Sequence, residues 1–237
     1  MNRPLIIAHR TCPRDAPENS IEGIARAAAL GADGVEIDLR MSLDQRPFLL
    51  HDWTLQRTTG FPLPLALTPA ATARRRRLRP SNETLPSLDR ALDALPATML
   101  LAVDVKTSWA VVPLVAAVRR RGLEGRVLTW CTSALAVRYA VWRSPGIEVA
   151  YLKKALSEPA ARAFLAKATS LRARAISAHW LAIDAGFVAA AHALGLRVYS
   201  YHEDYDLTPD KLRAGLDGLI TDSPREARAA IEAAIAG

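Results

Sequence analysis

Residues able to do acid–base, metal or phosphate chemistry gather on four successive extended segments near the amino terminus. They are His9, Arg10, Glu36, Asp38, His51, Asp52, Asp104 and Lys106. Glu36 and Asp38 are two residues apart, as are Asp104 and Lys106, so on a β-strand each pair points to one face. Taken singly, each has a plainer explanation, such as a solvated strand carboxylate or a hydrogen-bonded core histidine. Together they indicate a site, because apolar surroundings do not hold so many ionisable groups without a metal ion or an anion to pair with them.

The residue types favour phosphoryl chemistry. The carboxylates of Glu36, Asp38 and Asp104 offer oxygen ligands that suit one hard divalent cation, Mg²⁺ or Ca²⁺ and also Mn²⁺, whereas zinc would be expected to recruit the histidines. Arg10 and Lys106 suit the binding of phosphate oxygens, one as a planar fork and the other as a point charge.

Two histidines complete this set. The ordinary pKa of histidine lies near neutral pH, so His9 and His51 could act as general base and general acid on opposite sides of a phosphorus atom. A cation, an anion clamp and an acid–base pair together describe phosphoryl transfer.

The overall composition is that of a folded, basic protein. Of the 237 residues 50% are hydrophobic, which is ample for a sizeable core, and the net charge is +7. The densest basic run, residues 74–77 with Arg79, lies in a proline-flanked connection. We interpret it as a solvated loop face and expect no nucleic-acid partner, since no exposed aromatics are interleaved with it. Attraction of an anionic substrate explains the charge equally well.

The sequence also indicates where in the cell the protein is expected. Cys12 and Cys131 form neither a disulfide framework nor a metal-type spacing. Residues 1–10 do not resemble a secretion signal, and no apolar run is long enough to span a bilayer. We therefore expect a cytoplasmic protein without a stable membrane anchor; no feature specifies its oligomeric state.

Strand-like and helix-like segments alternate eight times along the chain. The predicted strands are residues 4–9, 34–41, 99–105, 126–131, 147–152, 173–178, 197–201 and 218–221, and the predicted helices are residues 20–31, 88–95, 111–121, 134–142, 158–168, 187–194, 209–214 and 224–236. Parallel strands need crossover connections, and helices supply them.

Eight such units predict an α/β fold, a single (β/α)8 TIM barrel over residues 1–237, with a small extra extended segment at 47–51 after the second strand. A doubly wound open sheet is the rival, but its glycine pattern is missing from Thr11-Cys12-Pro13 after the first strand. In a barrel, the active site lies at the carboxyl ends of the strands, where the ionisable residues fall.

Short motifs in a fixed order strengthen this interpretation. They are His9-Arg10, Pro17-Glu18-Asn19-Ser20, residues 31–38, Asp44, His51-Asp52, Leu55, residues 57–60, 85–88, 103–106, 195–198 and 217–224. With these motifs the chain closely resembles the glycerophosphodiester phosphodiesterase family of phospholipase C-like TIM barrels. The resemblance spans nearly the whole chain and is most specific between His9 and Gly60.

This resemblance implies roles for the residues. His9 and His51 would be the acid–base pair, and Glu18 would support the site near the metal or substrate, unless it is only a carboxylate at a helix start. Glu36, Asp38 and Asp104 would be the metal ligands, and Arg10 and Lys106 would hold the phosphate. The family hydrolyses glycerophosphodiesters to sn-glycerol 3-phosphate and an alcohol.

The chain departs from the family pattern at three places. Thr11 stands where the family usually has glycine, which predicts added bulk beside the phosphate. Asp104 stands where glutamate is frequent and is one methylene shorter. Residues 201–204, Tyr-His-Glu-Asp, replace a usual Trp-Thr-x-Asn. Tyr201 could bind substrate by stacking on glycerol carbons, or could simply pack.

Three further aromatic side chains, Trp130, His179 and Trp180, could line the pocket, although barrel packing is favoured for them. Two alternatives to glycerophosphodiester hydrolysis remain open. One is a phospholipase D-type enzyme that acts on a lysophospholipid or sphingolipid. Phe61, Leu63, Leu65 and Leu67 could form its apolar rim, although burial under a helix is favoured for them. The other is a non-catalytic phosphate-ester binding protein.

Overall fold

Eight parallel strands close into a ring, with a ninth strand attached outside it. The computed structural model describes residues 3–202 and 206–236. Its strands are β1 (Leu5–Ala8), β2 (Gly34–Met41), β3 (Pro47–Leu49), β4 (Leu100–Val105), β5 (Val127–Cys131), β6 (Glu148–Lys153), β7 (Ala175–His179), β8 (Arg197–Tyr201) and β9 (Gly218–Thr221). The hydrogen-bonded order is β1-β9-β8-β7-β6-β5-β4-β2, and β2 returns to β1. The predicted TIM barrel is therefore confirmed.

The extra segment predicted after the second strand is β3. It pairs antiparallel with β2 on the outside of the ring, with Leu39 opposite Leu49. Residues 42–85, which run from the end of β2 to the start of the next long helix, form an insertion that includes β3. The insertion has a small core of its own, made of Phe48, Leu50, Leu55, Leu65, Ala70, Ala73, Leu78 and Leu85.

Helices follow the strands and cover the ring. They are α1 (Ile21–Ala29), α2 (Gln56–Thr59), α3 (Ala70–Ala73), α4 (Leu88–Ala94), α5 (Val111–Arg121), α6 (Ala134–Arg143), α7 (Glu158–Ser170), α8 (Ala185–Ala193), α9 (Pro209–Leu212) and α10 (Pro224–Ala236). Residues 61–84 contain α3 and a 3₁₀ turn at Leu65–Leu67.

Polar side chains fix where the helices begin. The Ser20 hydroxyl accepts a hydrogen bond from the Gly23 backbone N–H at 2.8 Å, and the Asp184 carboxylate accepts one from Phe187 at 2.7 Å. Each satisfies a backbone donor that the first helical turn leaves without a partner. The predicted start of α1 at Ser20 is confirmed by this contact.

Two apolar layers hold the barrel together. The larger lies between the strands and the surrounding helices, and the smaller fills the interior of the ring with Ile7, Ala102, Leu128, Trp130, Ala150, Ala175, Tyr199 and Ile220. Strand side chains alternate between the two layers because successive residues point to opposite faces. Polar residues that point inward near the carboxyl ends of the strands therefore lie close together, directly above this packed interior layer. None of the helices within the described residues is both long and apolar enough to cross a bilayer.

Candidate active site

Three carboxylates meet at the carboxyl edge of the ring. Asp38 on β2 lies directly opposite Asp104 on β4 in the strand register, and Glu36 lies one alternation below Asp38. Glu36, Asp38 and Asp104 are 3%, 1% and 8% exposed. One oxygen from each lies within 4.8 Å of the others. The shorter side chain of Asp104 therefore still reaches the cluster.

This cluster suits a cation. Oxygen atoms from three carboxylates are the donors that hard divalent ions prefer. Asp104 Oδ1 is buried and has no hydrogen-bond donor among the described residues, which leaves it available as a ligand. Burial and the nearby Asp38 charge raise the pKa of Glu36 to about 8, and burial also raises the pKa of Asp104. Both carboxylates thus lack enough positive charge around them, and a bound cation would supply it.

Lys106 partly neutralises the cluster. Its Nζ lies 3.0 Å from Asp38 Oδ1 and 2.5 Å from Asp104 Oδ2. Although burial lowers it, the pKa of Lys106 is raised above its ordinary value by Asp38 and Asp104. Burial also disfavours the charged form of Asp38, but Lys106 and Arg10 outweigh it, so the pKa of Asp38 is lowered.

Arg10 approaches from the turn after β1. Its backbone N–H donates to Glu36 Oε2 at 2.8 Å, and its Nε lies 3.5 Å from Asp38 Oδ2. Its Nη1 lies 3.8 Å from Glu18 Oε2, so Glu18 lies beside Arg10.

The turn that presents Arg10 has an unusual backbone. Arg10, Thr11 and Cys12 have φ values of 41°, 63° and 77°, in the left-handed region that non-glycine residues seldom adopt. Such residues cost about 1–3 kcal/mol each and persist where surrounding contacts fix them. Here the Arg10 carbonyl accepts from the Asn19 N–H at 2.8 Å.

Thr11 does not lie as the sequence suggested. Its side chain is fully buried, and its Oγ1 accepts from the Ser20 N–H at 3.0 Å. A Cβ on Gly23 would meet the Thr11 carbonyl at 2.2 Å, so the loop rests directly on the first turn of α1. The bulk of Thr11 is therefore packed against the helix.

Each histidine is held by a carboxylate. His9 Nδ1 lies 2.7 Å from Asp222 Oδ1, and His51 Nδ1 lies 2.9 Å from Asp52 Oδ1. Burial lowers the pKa of His9, but the hydrogen bond with Asp222 and the charge of Glu36 raise it by more. A carboxylate on Nδ1 fixes the ring orientation and leaves Nε2 for proton exchange.

A second layer of contacts connects these groups. Arg57 Nε donates to Asp52 Oδ2 at 2.6 Å, and Arg57 Nη1 and Nη2 donate to Glu18 at 2.5 and 2.8 Å. The hydrogen bonds from Arg57 and then His51 lower the pKa of Asp52 to about 2. Arg57 thereby joins the His51 side of the site to Glu18 and, through it, to Arg10.

An open cleft borders the site on this side. It has a volume of about 620 Å³, and Arg14, Glu18, Arg57 and Arg79 contribute to its lining. That volume falls in the range of small-molecule sites.

Tyr201, His179 and Trp180 lie at the carboxyl ends of β7 and β8, away from the carboxylate strands, whereas Trp130 on β5 lies directly opposite Asp104 on β4. The Tyr201 ring packs edge-on against His179 at 5.2 Å between centroids, at the carboxyl ends of β7 and β8. His179 and Trp180 are each 1% exposed and Trp130 is 3% exposed, as expected for barrel packing. Glu203 and Asp204, part of the departure from the family pattern, lie outside the described residues.

Three residues that contact the site were not assigned to it from the sequence. Asn19 binds Asp38 on both sides, with Nδ2 donating to Oδ2 at 2.8 Å and Oδ1 accepting from the backbone N–H at 2.9 Å. Asp222 orients His9, and Arg57 bridges Glu18 and Asp52. Asp222 could have been found from the predicted closed barrel. It follows the last strand, which pairs with the first strand that ends before His9.

Metal-assisted phosphoryl transfer uses a bound cation, positive side chains for phosphate oxygens, and groups that exchange protons. The carboxyl edge of this barrel brings residues suited to all three together, as expected for a phosphodiesterase. The model of the glycerophosphoryl diester phosphodiesterase family matches residues 9–226, and the chain belongs to this family. A purely binding role is thereby set aside.

Individual proteins agree with the assignment. A glycerophosphodiester phosphodiesterase from Caldanaerobacter subterraneus subsp. tengcongensis is 26% identical over 94% of this chain and 95% of its own length. The crystal structure of an Agrobacterium tumefaciens protein matches the fold of this chain with a TM-score of 0.88 at 18% identity, and the match covers 100% of both chains. A phosphodiesterase from Oleispira antarctica, solved with the product sn-glycerol-3-phosphate, has a TM-score of 0.80 at 24% identity and covers 99% of this chain and 98% of its own.

Proposed function

We propose that this protein hydrolyses glycerophosphodiesters to sn-glycerol 3-phosphate and an alcohol with one divalent cation. The observation that carries the proposal is the convergence of Glu36, Asp38 and Asp104 within 4.8 Å, beside Arg10 and Lys106. The product bound to the Oleispira antarctica phosphodiesterase supports the same substrate class here.

In this proposal Glu36, Asp38 and Asp104 hold the cation, and Mg²⁺, Ca²⁺ or Mn²⁺ fits their all-oxygen donor set. When bound, the cation supplies positive charge that stabilises the developing charge on oxygen in the transition state. Arg10 and Lys106 bind the phosphate oxygens; their side chains are 22% and 23% exposed, so both can be reached from the open end of the ring.

His9 and His51 move the protons. One accepts the proton of the glycerol 2-hydroxyl as that oxygen attacks phosphorus, and the other protonates the leaving alkoxide. Water then opens the resulting cyclic phosphate with the two roles reversed. Asp222 and Asp52 keep each ring oriented, and Asp222 also favours the protonated form of His9.

We assign the cleft and the side chains around the site to the two ends of the substrate. The cleft beside Glu18 and Arg57 gives the leaving alcohol room, and Glu18 supports Arg10 and Arg57 at its edge. Tyr201, 5.2 Å from His179 between ring centroids, would stack on the glycerol carbons. We also propose a cytoplasmic location, because two buried free thiols such as Cys12 and Cys131 are expected to stay reduced there.

A lipid substrate is the second candidate. Trp53 and Leu67, 73% and 62% exposed, follow the His51 segment and favour an amphiphile such as a lysophospholipid. Glycerophosphocholine and lysophosphatidylcholine, assayed below and above micelle formation, separate the two. Full turnover of glycerophosphocholine alone supports the first candidate, and turnover that requires micelles supports the second.

The direct test is release of sn-glycerol 3-phosphate after EDTA treatment and resupply of Mg²⁺, Ca²⁺, Mn²⁺ or Zn²⁺. We expect activity to be lost and then restored by one of the first three ions. Asp104→Asn should abolish restoration, while Asp93→Asn, at an exposed carboxylate that pairs with Arg121, should not. Activity that survives EDTA, or no release with any ion, would contradict the proposal.

A further inference from the structure

Exposed hydrophobic side chains are unevenly distributed over the barrel. Among the described residues, nine of the twelve large exposed ones lie on loops after β2 to β7 or in the first turn of the helices after those loops. That end carries the candidate active site. Trp142, Leu194 and Ile235 lie at the opposite end, where the helices finish. Exposed hydrophobic side chains gathered at one end of a protein are typical of a surface that contacts another molecule.

Four of the nine belong to the insertion and lie on segments of it that are hydrogen-bonded to one another. Leu43, Trp53, Leu63 and Leu67 are 53%, 73%, 45% and 62% exposed, and we call them the rim patch. Backbone hydrogen bonds connect their segments: the Leu43 N–H donates to Thr68 at 3.0 Å, and the Leu65 N–H donates to Trp53 at 3.1 Å. The four residues therefore lie on neighbouring segments of the insertion.

These side chains project from a folded part of the insertion. Leu65 is buried in the small core of the insertion, while Leu63 and Leu67 on either side are exposed. The Trp53 ring stacks on Arg40, with the guanidinium carbon 4.6 Å from the ring centroid. Leu63, Leu67 and Trp53 are thus exposed in the folded form of the insertion.

The same insertion carries an excess of positive charge. Residues 42–85 contain seven arginines against three carboxylates. Arg74 and Arg75 are exposed, and no ion pair involves either of them within the described part of the chain. The proposed reaction does not use this basic run.

We propose that the rim patch and the exposed arginines of the same insertion dock the protein reversibly on an anionic phospholipid surface, with the open end of the barrel facing the lipid. Trp and Leu enter the interfacial region while Arg side chains pair with lipid phosphates, the combination that peripheral proteins use. Protruding side chains on several loops fit a flat, deformable surface better than a shaped groove. Docking needs no turnover, so this inference goes beyond the proposed function.

The test is sedimentation with vesicles of phosphatidylcholine containing about 30% phosphatidylglycerol. Trp53→Ala should lower the partition coefficient about 10-fold. The matched control Trp142→Ala, also at 73% exposure but at the other end, should not change it. Arg74→Gln with Arg75→Gln should lower binding about 30-fold at low salt, since each charge contributes about 1 kcal/mol.

Arg119→Gln with Arg120→Gln, an exposed pair where α5 ends, is the charge control and should bind as wild type. The Arg74 and Arg75 variant should keep wild-type turnover of glycerophosphocholine. Equal losses in variants and controls, or no binding to anionic vesicles, would overturn docking. So would tight binding of a short RNA that the Arg74 and Arg75 change abolishes while vesicle binding persists. Because vesicle binding is measured without substrate, it can fail or succeed separately from the proposed hydrolysis.

Discussion

Asn19 offers a sharp test of how Asp38 is held. The Asn19 side chain makes two hydrogen bonds, of 2.8 and 2.9 Å, to the Asp38 carboxylate and backbone N–H, and the residue is 2% exposed. A hydrogen bond to a charged group contributes about 1.5–3 kcal/mol and a neutral one about 0.5–1.5 kcal/mol. Asn19→Gly removes both, so we expect it to lower the free energy of unfolding by about 2–4 kcal/mol.

Asn19→Ala adds a backbone cost. Asn19 has φ of 55°, which glycine adopts freely and alanine does not. Alanine should therefore cost about 1–2 kcal/mol more than glycine. Both variants leave Asp38 without its amide partner, so their affinity for Mn²⁺ should fall about 10- to 100-fold.

Urea denaturation gives the stabilities, and calorimetry of the EDTA-treated proteins gives the Mn²⁺ affinities. Asn82→Ala is the control, because Asn82 is an exposed asparagine whose side chain accepts from Arg77 at 3.1 Å, away from the carboxylates. Wild-type Mn²⁺ affinity in Asn19→Gly would refute the positioning role. Equal stability of the glycine and alanine variants would refute the backbone argument.

Three further predictions concern proton transfer and packing. His9→Ala and His51→Ala should each lower kcat about 100-fold or more in the glycerophosphodiester assay, and near-normal turnover would remove that residue from the mechanism. Because Asp222 helps to raise the folded-state pKa of His9, the pair stabilises the fold below the ordinary pKa of about 6.5, and this contribution is lost as pH rises through the raised value. Asp222→Asn should therefore lower the unfolding free energy more at pH 5.5 than at pH 9, and a pH-independent loss would contradict this. Gly23→Ala should lower the free energy of unfolding by about 2–3 kcal/mol, since its Cβ would meet a backbone carbonyl at 2.2 Å. Gly125→Ala, whose Cβ would have nothing within 4 Å, is the control and should be neutral in the same denaturation experiment. A neutral Gly23→Ala would contradict the close approach.

The sequence was informative where residues act along one strand. Glu36 and Asp38, or Asp104 and Lys106, alternate with apolar neighbours, so their shared face follows from strand geometry alone. The alternation of eight strands and helices likewise predicted the closed ring. That residues 1–237 form a single domain stays a prediction.

Contacts across the ring were beyond the sequence. The Asn19–Asp38 pair depends on a left-handed backbone at Asn19, and no local pattern predicts that conformation for the turn after β1. The direction of Thr11 depends on how closely α1 approaches the loop. The position of Arg57 between Glu18 and Asp52 depends on the folded insertion, because residues 18 and 57 come together only through tertiary packing.

Ring closure also orders the assembly of the site in time. Asp38 and Asp104 become neighbours as soon as β2 pairs with β4, whereas His9 meets a partner 213 residues away, on the far side of the seam between β1 and β9. Contacts between distant residues cost more loop entropy and tend to form late in folding. A chain caught before the seam closes would carry the carboxylate half of the site without an oriented His9.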